Sequence, residues 1–314
     1  MRHLDKIALA LGALLLALMP FFAGRGTLFL GMEILVVIAL AQAWNLLAGY
    51  GGLLSLGHHG FVGLGGYALF VLSRDAGVHP YLAVPLAGVV VAVVALILAP
   101  ILFRLREVYF AVGMWVAAEI IRILVLRSDA LGGPMGLPLA AARSLNRAWM
   151  GPTAYWLALA LALGCTLLVW ALMRSTFGLR LRSLRDDETA ARSIGVAPGR
   201  VRLTVFVLSA AVVGMAGAVN FLSALFITPV AAFDMGWMVT IVFVTIIGGI
   251  GRLSGPFLGA ALFFALRETL AMSSSWYLVA LGAVAMLVML LFPSGLAGLV
   301  SRILASLNIK KEVQ

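Results

Sequence analysis

Long apolar runs separated by short polar stretches dominate the chain. A helix needs about 20 mostly apolar residues to cross about 30 Å of hydrocarbon. By that measure ten stretches are candidate membrane spans: 7–23, 28–48, 53–73, 80–103, 108–126, 153–173, 204–227, 236–250, 254–271 and 276–292. The third is rich in glycine and the eighth is short, so eight or nine full crossings also fit the pattern. The runs lack the period-two alternation of barrel strands, and they predict an all-α polytopic membrane bundle.

The third span contains the stretch GYGGLLSLGHHGFVGLGGY at 49–67, which two interpretations fit. In the first, Gly57, Gly60 and Gly63 let neighbouring helices approach closely, as small residues do in membrane proteins. In the second, the helix is broken around 49–52 and Gly57, and backbone groups with Ser55 or His58 line a solute path. A broken span is tolerated only where protein or water surrounds it. Both interpretations predict that the segment is shielded from lipid.

Composition supports the membrane class. Of the 314 residues, 63% are hydrophobic and only 11% are charged, and the mean hydropathy is +1.13. Soluble domains typically carry about 25% charged residues. The net charge of +10 therefore indicates basic cytoplasmic connections rather than a nucleic-acid partner.

The distribution of Lys and Arg predicts the orientation of the bundle. With both termini in the cytoplasm, the inner segments hold most of these residues, including the seven arginines of 174–203. The outer segments then hold Arg25, Arg74, Arg127, Arg143 and Arg147. This asymmetry follows the positive-inside rule. We therefore expect a single transmembrane domain over 1–314, with an outer loop at 127–152 and a cytoplasmic tail at 293–314.

The inner segment 174–203 has the pattern of a structured element. Apolar residues such as Leu181, Leu184 and Ala191 recur at three- and four-residue spacing, which predicts an amphipathic helix or a helix–turn–helix. Acidic residues from 186 to 188 begin a second helical turn, where they complement the helix dipole. Gly195 ends that helix, and Pro198 follows. The arginines fit an anchor to anionic lipid head groups, whereas the small pair Ala190–Ala191 and the turn fit a rigid knob for a soluble partner.

The stretch TAARSIG at 189–195 resembles the EAA-x-x-x-G motif of permeases in bacterial ABC importers, which docks into a groove of the ATPase subunit. Thr189 occupies the acidic position of the motif, and Glu188 lies one residue earlier. Further blocks in the same order resemble the LivM-like permeases of the branched-chain amino-acid importer family. These blocks are 44–67, 108–122, 132–137, 177–196, 208–219 and 246–260.

The resemblance implies the function and the partners. It implies a permease subunit in a bacterial cytoplasmic membrane that forms the path for branched-chain or related amino acids by alternating access. The implied partners are a second homologous permease, two ATPase subunits and a periplasmic or extracellular solute-binding protein. The residues that would couple to the ATPase are Arg185, Asp186, Glu188, Ala190, Ala191 and Gly195. Alternatives are a urea, amide or other small-solute permease of the same family, and an ion-coupled secondary transporter without ATPases.

No other motif indicates a catalytic, cofactor or metal site. The sequence GxxxxGK[ST] of nucleotide-binding loops is absent, so ATP hydrolysis would reside in partner chains and the chain is not an enzyme. His58 and His59 are adjacent, so their side chains diverge by about 100° on a helix. That divergence favours a polar lining or an interhelical hydrogen bond over joint metal binding.

Two further patterns in the sequence each fit two interpretations. Glu119 and Arg122 lie three residues apart in the fifth span, so they can pair on one helix face. The pair either fixes packing as a neutralised unit or serves a function, as intramembrane charges commonly do. The segment GGLLSL at 51–56 also resembles GGIGRL at 248–253, either as part of an internal repeat or by chance.

Overall fold

The computed structural model describes residues 15–106, 108–270, 277–291 and 295–301. The long helices are α2 (Arg25–Trp44), α3 (His58–Asp75), α4 (Pro80–Leu102), α5 (Val108–Leu126), α6 (Arg147–Arg174), α9 (Pro198–Ala224), α11 (Met235–Gly249), α12 (Gly255–Leu270) and α13 (Tyr277–Leu291). The shorter helices are α1 (15–22), α7 (Thr176–Asp186), α8 (Glu188–Ser193), α10 (Pro229–Ala232) and α14 (295–301). A π-helical turn, Asn45–Tyr50, extends α2. Short 3-10 turns occupy Asp129–Leu131, Gly133–Met135 and Ala140–Ser144.

The all-α polytopic architecture is confirmed. Within the described residues, six helical stretches are long and apolar enough to span a membrane: Arg25–Tyr50, Pro80–Leu102, Val108–Leu126, Ala148–Arg174, Pro198–Ala224 and Pro229–Gly249. The last of these combines the short eighth predicted span with α10. Residues 7–14 of the first predicted span, and 302–314 of the predicted tail, lie outside the described residues. Ten crossings and cytoplasmic termini remain predictions.

Helices α9 and α2 form the centre of the bundle. Helix α9 packs against α3, α4, α2 and α6, while α2 also packs against α11 and α12. Their buried side chains are almost entirely apolar, and Phe206 and Trp44 are among the largest. The outer faces of α4 and α5 expose residues such as Ile97 and Leu124, as helices in contact with lipid do.

Successive long helices alternate in direction, so the connections gather at two ends. At one end, 175–197 lies close to 49–52 and 250–252, and we call this the α7–α8 end. At the opposite end, the strands β1 (Leu137–Pro138) and β2 (Phe226–Ile227) pair in antiparallel register. The Arg74 guanidinium donates to the Ala130 carbonyl there (2.8 Å). The outer loop predicted at 127–152 is thus ordered, although α6 already begins at Arg147.

The third predicted span is wrong over 53–57, because this stretch is not helical. After the π-helical turn, Gly52 adopts φ +70°, a conformation that side-chain-bearing residues rarely adopt. The chain then turns back beside α2, and Leu53 N–H donates to the Leu47 carbonyl (3.1 Å). Helix α3 begins only at His58. The break expected around 49–52 and Gly57 is therefore confirmed at 51–57, while Gly49 and Tyr50 still belong to the π-helical turn.

Glycines allow the backbone of α3 and of the break before it to pack directly against the backbones of α9 and α5. A Cβ atom at Gly65 would overlap the Gly214 carbonyl of α9, and one at Gly217 would overlap the Val62 carbonyl. A Cβ at Gly57 would overlap the Met114 carbonyl of α5, and one at Gly60 would lie 2.9 Å from the Ala118 Cα. Membrane helices associate largely through such close packing.

An ion pair that the sequence did not indicate joins α2 to α12. The Arg267 guanidinium binds both carboxylate oxygens of Glu33, with an Nη2–Oε2 distance of 2.7 Å. The same guanidinium lies 4.5 Å from the ring centre of Phe264. The two residues are 234 positions apart, so no local spacing could reveal the pair.

The contact at Gly65 predicts a packing cost. The variant Gly65→Ala should lose about 1–3 kcal/mol of stability, because the added methyl must separate α3 from α9. The matched control Gly164→Ala places its methyl in open space and should leave stability unchanged or slightly raised. Thermal unfolding of the detergent-solubilised protein measures both, and equal midpoints would contradict the packing argument.

Candidate functional site

A buried hydrogen-bond chain crosses the break before α3. Ser209 Oγ donates its one proton to the Ala43 carbonyl (2.7 Å), so it must accept from His58 Nε2 (2.9 Å). Full burial favours the neutral imidazole, so the single ring proton is on Nε2. The Nδ1 atom of His58 is then an acceptor, and Ser55 Oγ donates to it (2.8 Å). The expected interhelical hydrogen bond is confirmed, and it joins α2, the break and α9.

The three side chains of this hydrogen-bond chain lie deep in the bundle. Ser55, His58 and Ser209 are all 0% exposed. Ser209 lies 11 residues into α9, or about 16 Å along its axis from the α7–α8 end. Trp44 Nε1 donates to the Ser55 carbonyl (2.8 Å). The side chains of α2 and α9 therefore satisfy polar groups that the break would otherwise leave unpaired.

A second break lies at 250–254, between α11 and α12. Its backbone is hydrogen-bonded to side chains that directly precede the first break. Asn45 Oδ1 accepts from Gly251 N–H (2.7 Å), and Asn45 Nδ2 donates to the Arg252 carbonyl (3.0 Å). Gln42 Nε2 donates to the Leu253 carbonyl (2.7 Å). The segments GGLLSL and GGIGRL thus each occupy a reversal after a helix that runs toward the α7–α8 end. The internal repeat itself remains a prediction, because Gly248 and Gly249 are still helical whereas 51–56 is not.

The inner segment forms a helix–turn–helix. Asp187 interrupts the helix in an extended conformation, and its carboxylate accepts from the N–H groups of Thr189 (2.8 Å) and Ala190 (3.0 Å). Gly195, at φ +86°, ends α8, and Val196 N–H returns to the Ala191 carbonyl (3.1 Å). The predicted acidic start and glycine end of the second helix are both confirmed.

Because Asp187 interrupts the helix, the apolar residues of the inner segment are not all on one buried face. Leu181, Leu184 and Ala191 are buried, whereas Ala190 is exposed and Ile194 is 76% exposed. Glu188 pairs with Arg192 on its own helix (2.6 Å) and with Arg202 at the start of α9 (2.6 Å). We call α7 and α8 the knob. It presents Ala190 and the adjoining Ile194 outward, and the ion pairs of Glu188 hold α8 in place.

Arg185 connects this knob to the first break. Its Nη1 donates to the Gly49 carbonyl (3.1 Å), and its Nη2 lies 3.0 Å from Asp186 Oδ1. A Cβ at Gly52 would lie 3.0 Å from Arg185 Cγ, so the arginine stem packs directly on the turn. The sequence pointed to Arg185 through the motif but gave no indication of its partner Gly49.

The structure also brings Glu119 and Arg122 together, as their spacing predicts. Arg122 Nε lies 2.9 Å from both carboxylate oxygens. This pair lies on α5 and is separate from the two breaks and the knob. Of the polar groups at the breaks, sequence reasoning missed Gln42, Asn45 and Ser209. Their only signal was the presence of polar residues within apolar spans.

The ion pairs of Glu188 predict a local pH dependence. The hydrogen bond from Arg192, and next that from Arg202, holds the pKa of the Glu188 carboxyl below its ordinary value of 4.5. A lowered folded-state pKa stabilises α8 fully above pH 4.5, and this stabilisation is lost as the pH falls from there through the folded-state pKa. Hydrogen-exchange protection of 189–196 should therefore drop below pH 4.5.

The variant Glu188→Gln provides the control for this measurement. It should show lower protection at pH 7 and no further drop from this group on acidification. Identical pH profiles in the two proteins would contradict a stabilising role for the ion pairs.

Comparison with known proteins places these features in a family. The family model described as "Branched-chain amino acid transport system / permease component" matches residues 26–292. The LivM high-affinity branched-chain amino-acid permease protein of Escherichia coli K12 is 29% identical over 303 residues, covering 88% of this chain and 71% of that protein. LivM of Salmonella typhimurium is 30% identical with the same coverage.

A shorter similarity reaches a different importer. The autoinducer 2 import permease LsrC of Klebsiella pneumoniae is 35% identical over 115 residues, covering 33% of this chain and 31% of that protein. No solved structure matches the chain. The family match extends over α2 to the end of α13 and includes both breaks and the knob, so the chain belongs to the branched-chain amino-acid transport permease family.

Proposed function

We propose that the chain is the permease subunit of an ATP-driven importer for branched-chain or closely related amino acids. The observation that carries the proposal is the knob of α7 and α8, which is structured, exposed and joined to the broken helices through Arg185. The LivM proteins are named as permeases for branched-chain amino acids, and this supports the same substrate class here.

The proposed partners follow the composition of such importers. A second homologous permease completes the path, two ATPase subunits bind the knobs, and a periplasmic or extracellular binding protein delivers the solute. The α7–α8 end then faces the cytoplasm of a bacterial cell, in agreement with the arginines of 174–203. The exposed surface of Ala190 and Ile194 supplies the apolar contact for the ATPase groove.

The mechanism proposed here transmits motion through hydrogen bonds to the breaks. Closure of the ATPase pair displaces α7 and α8, and Arg185 passes that displacement to the Gly49 carbonyl. Asn45 holds the first break to the second, so the ends of α2 and α11 move together. The path then switches between outward and inward access. Ser55, His58 and the glycines of α3 are buried, so we propose that they hold this hinge rather than line open space.

Co-purification and transport test the importer function directly. Isolation from the native membrane in mild detergent should recover the ATPase subunits with the chain. The complex in proteoliposomes should accumulate leucine only when ATP and the binding protein are supplied. Recovery without any ATPase, or uptake that follows an ion gradient without ATP, would contradict the proposal.

Gly195 tests the docking geometry of the knob. A Cβ at Gly195 would meet no neighbouring atom, so only the positive φ restricts the residue. Gly195→Val should abolish most ATP-driven uptake, because a β-branched residue disfavours this conformation and distorts the turn. Gly195→Asn tolerates the conformation and should retain uptake. Loss in both variants, or in neither, would contradict a conformational role.

Arg185 tests the transmission to the first break. Arg185→Met keeps an apolar stem but loses the hydrogen bond to Gly49, so ATP hydrolysis should continue while leucine uptake per ATP falls. Arg180→Met removes the same charge from an exposed position of the same helix and serves as the control. Equal uptake per ATP in the two variants would overturn the proposed link.

A further inference from the structure

The segment between β2 and α11 reaches deep into the bundle. The Phe233 ring lies directly on Gly63 of α3, where a Cβ atom would be 2.5 Å from its Cε1. Gly63 is twelve residues before the end of α3 at Asp75, or about 18 Å along the helix. The hydrocarbon of a bilayer is about 30 Å thick. Asp234, the residue after Phe233, therefore lies near the middle of the membrane rather than at its surface.

The side chain of Asp234 is exposed at this depth. Its carboxylate accepts a hydrogen bond from Gly236 N–H at the start of α11 (2.5 Å). No Lys or Arg of the described residues forms an ion pair with it. The adjoining Met235 is 41% exposed. A charged side chain inside a bilayer almost always faces a bundle interior or a water-filled cavity, so the start of α11 is not a surface for acyl chains.

A buried aromatic ring adjoins this carboxylate. Phe233 is 3% exposed, and its ring stacks on that of Tyr67, with the centroids 6.1 Å apart and the planes at 20°. Tyr67 is also 3% exposed, and its hydroxyl has no hydrogen-bond partner among the described residues. A buried hydroxyl without a partner is costly, so a conformation that supplies a partner is favoured. Phe233 thus lies between an exposed carboxylate in sequence and a tyrosine whose hydroxyl is unsatisfied.

We propose that a water-filled entrance leads from the end of the bundle at β1 and β2, the β1–β2 end, to Asp234, whose carboxylate binds the ammonium group of the incoming solute. The Phe233 ring closes this entrance in the present conformation. Its displacement from Gly63 brings the solute to the Tyr67 hydroxyl. The proposal rests on the proposed function, and it names the chemical group of the solute that the permease itself recognises.

The chemistry of Asp234 favours an ammonium group over other polar groups. A carboxylate has about four lone-pair sites, and the hydrogen bond from Gly236 uses one of them. An ammonium group donates up to three protons and forms charge-assisted hydrogen bonds with a carboxylate. A carboxylate without an ammonium is repelled, and a neutral amide such as urea forms only the weaker hydrogen bonds of an uncharged donor. The site thus suits amino acids and amines.

The first test asks whether water reaches the start of α11. Met235→Cys in the complete importer, in right-side-out membrane vesicles, should react rapidly with a membrane-impermeant methanethiosulfonate reagent added outside. The reason is that a thiol in water forms the reactive thiolate, whereas a thiol in apolar surroundings stays protonated. The single native cysteine, Cys165, is buried and should contribute little background.

The matched control is Val93→Cys on α4. Val91 and Gly65 both pack against Gly214 of α9, so they lie at one depth. Val93 and Gly63 are each two residues closer to the α7–α8 end, so they also share a depth. Val93 is 50% exposed but lies on the apolar outer face of α4, and the reagent should not label it. Equal labelling of the two variants, or none of Met235→Cys, would overturn the entrance.

Protection from labelling tests the recognised group. Leucine and isopentylamine at millimolar concentrations should slow the labelling of Met235→Cys, because both carry an ammonium group. The compound 4-methylpentanoate has a carboxylate instead and should not slow it. The additional substitution Asp234→Asn should remove the protection. Equal protection by the amine and the acid, or protection that survives Asp234→Asn, would overturn the role of Asp234.

Uptake separates the charge of Asp234 from its capping of α11. Asp234→Asn keeps a good N-cap and loses the charge, whereas Asp234→Glu keeps the charge and loses a preferred N-cap residue. ATP-driven leucine uptake in proteoliposomes should fall about tenfold in Asp234→Asn, the effect of losing one charge-assisted hydrogen bond. Asp234→Glu should retain most of the uptake. Uptake by Asp234→Glu that is no higher than that by Asp234→Asn would overturn the site.

Tyr67→Phe tests the step after Phe233 moves. This variant keeps the stacked ring and removes only a hydroxyl without a partner, so stability should not fall. Labelling and protection of Met235→Cys should be unchanged, because they precede the displacement of Phe233. Leucine uptake should fall about fivefold, as expected for one hydrogen bond. Unchanged uptake would overturn the contact with Tyr67.

The outcomes distinguish the site from the importer function, because labelling and protection need no ATP. Protection of Met235→Cys without ATP-driven uptake would keep the site and overturn the importer function. ATP-driven uptake together with an unlabelled Met235→Cys would keep the importer function and overturn the entrance.

Discussion

Every backbone polar group inside a bilayer needs a hydrogen-bond partner within the protein, and this requirement governs the centre of the bundle. The two breaks, at 51–57 and 250–254, leave N–H and carbonyl groups without helical partners. Trp44 and Gln42 of α2, and Asn45 of the π-helical turn that extends it, supply partners through their side chains. A single helix therefore stabilises both interruptions, and its polar residues face inward although most of its sequence is apolar.

The same requirement explains why the buried histidine is structural in this conformation. His58 accepts on one ring nitrogen and donates on the other, so its hydrogen-bonding capacity is used completely. His59, one residue later, points to a different side of α3, and its Nδ1 has no hydrogen-bond partner within the described part of the chain. Two adjacent residues of one type thus belong to different parts of the molecule, one to the hydrogen bonds of the break and the other to a different face of α3.

Local patterns in the sequence predicted a large part of this arrangement. Apolar run length gave the bounds of most long helices to within a few residues. The Asp187 and Gly195 signals gave the ends of α8, because capping depends on neighbouring residues. The i, i+3 spacing gave the Glu119–Arg122 pair. Long-range partners could not be predicted in this way, since the bonds from Asn45 to Gly251 and from Arg185 to Gly49 depend on how distant helices pack.

The pairing of β1 with β2 holds one end of α9 in place. Beside the strands, Leu139 N–H donates to the Leu225 carbonyl (2.9 Å), so α9 is pinned at the end farthest from the knob. Helix α9 has 27 residues, which corresponds to a lever arm of about 40 Å. A tilt of about 5° around the pinned end displaces the other end by about 3–4 Å over that length. Under the proposed function, small rotations of ATPase partners would therefore move the end of α9 beside α8 and leave the β1–β2 end almost in place.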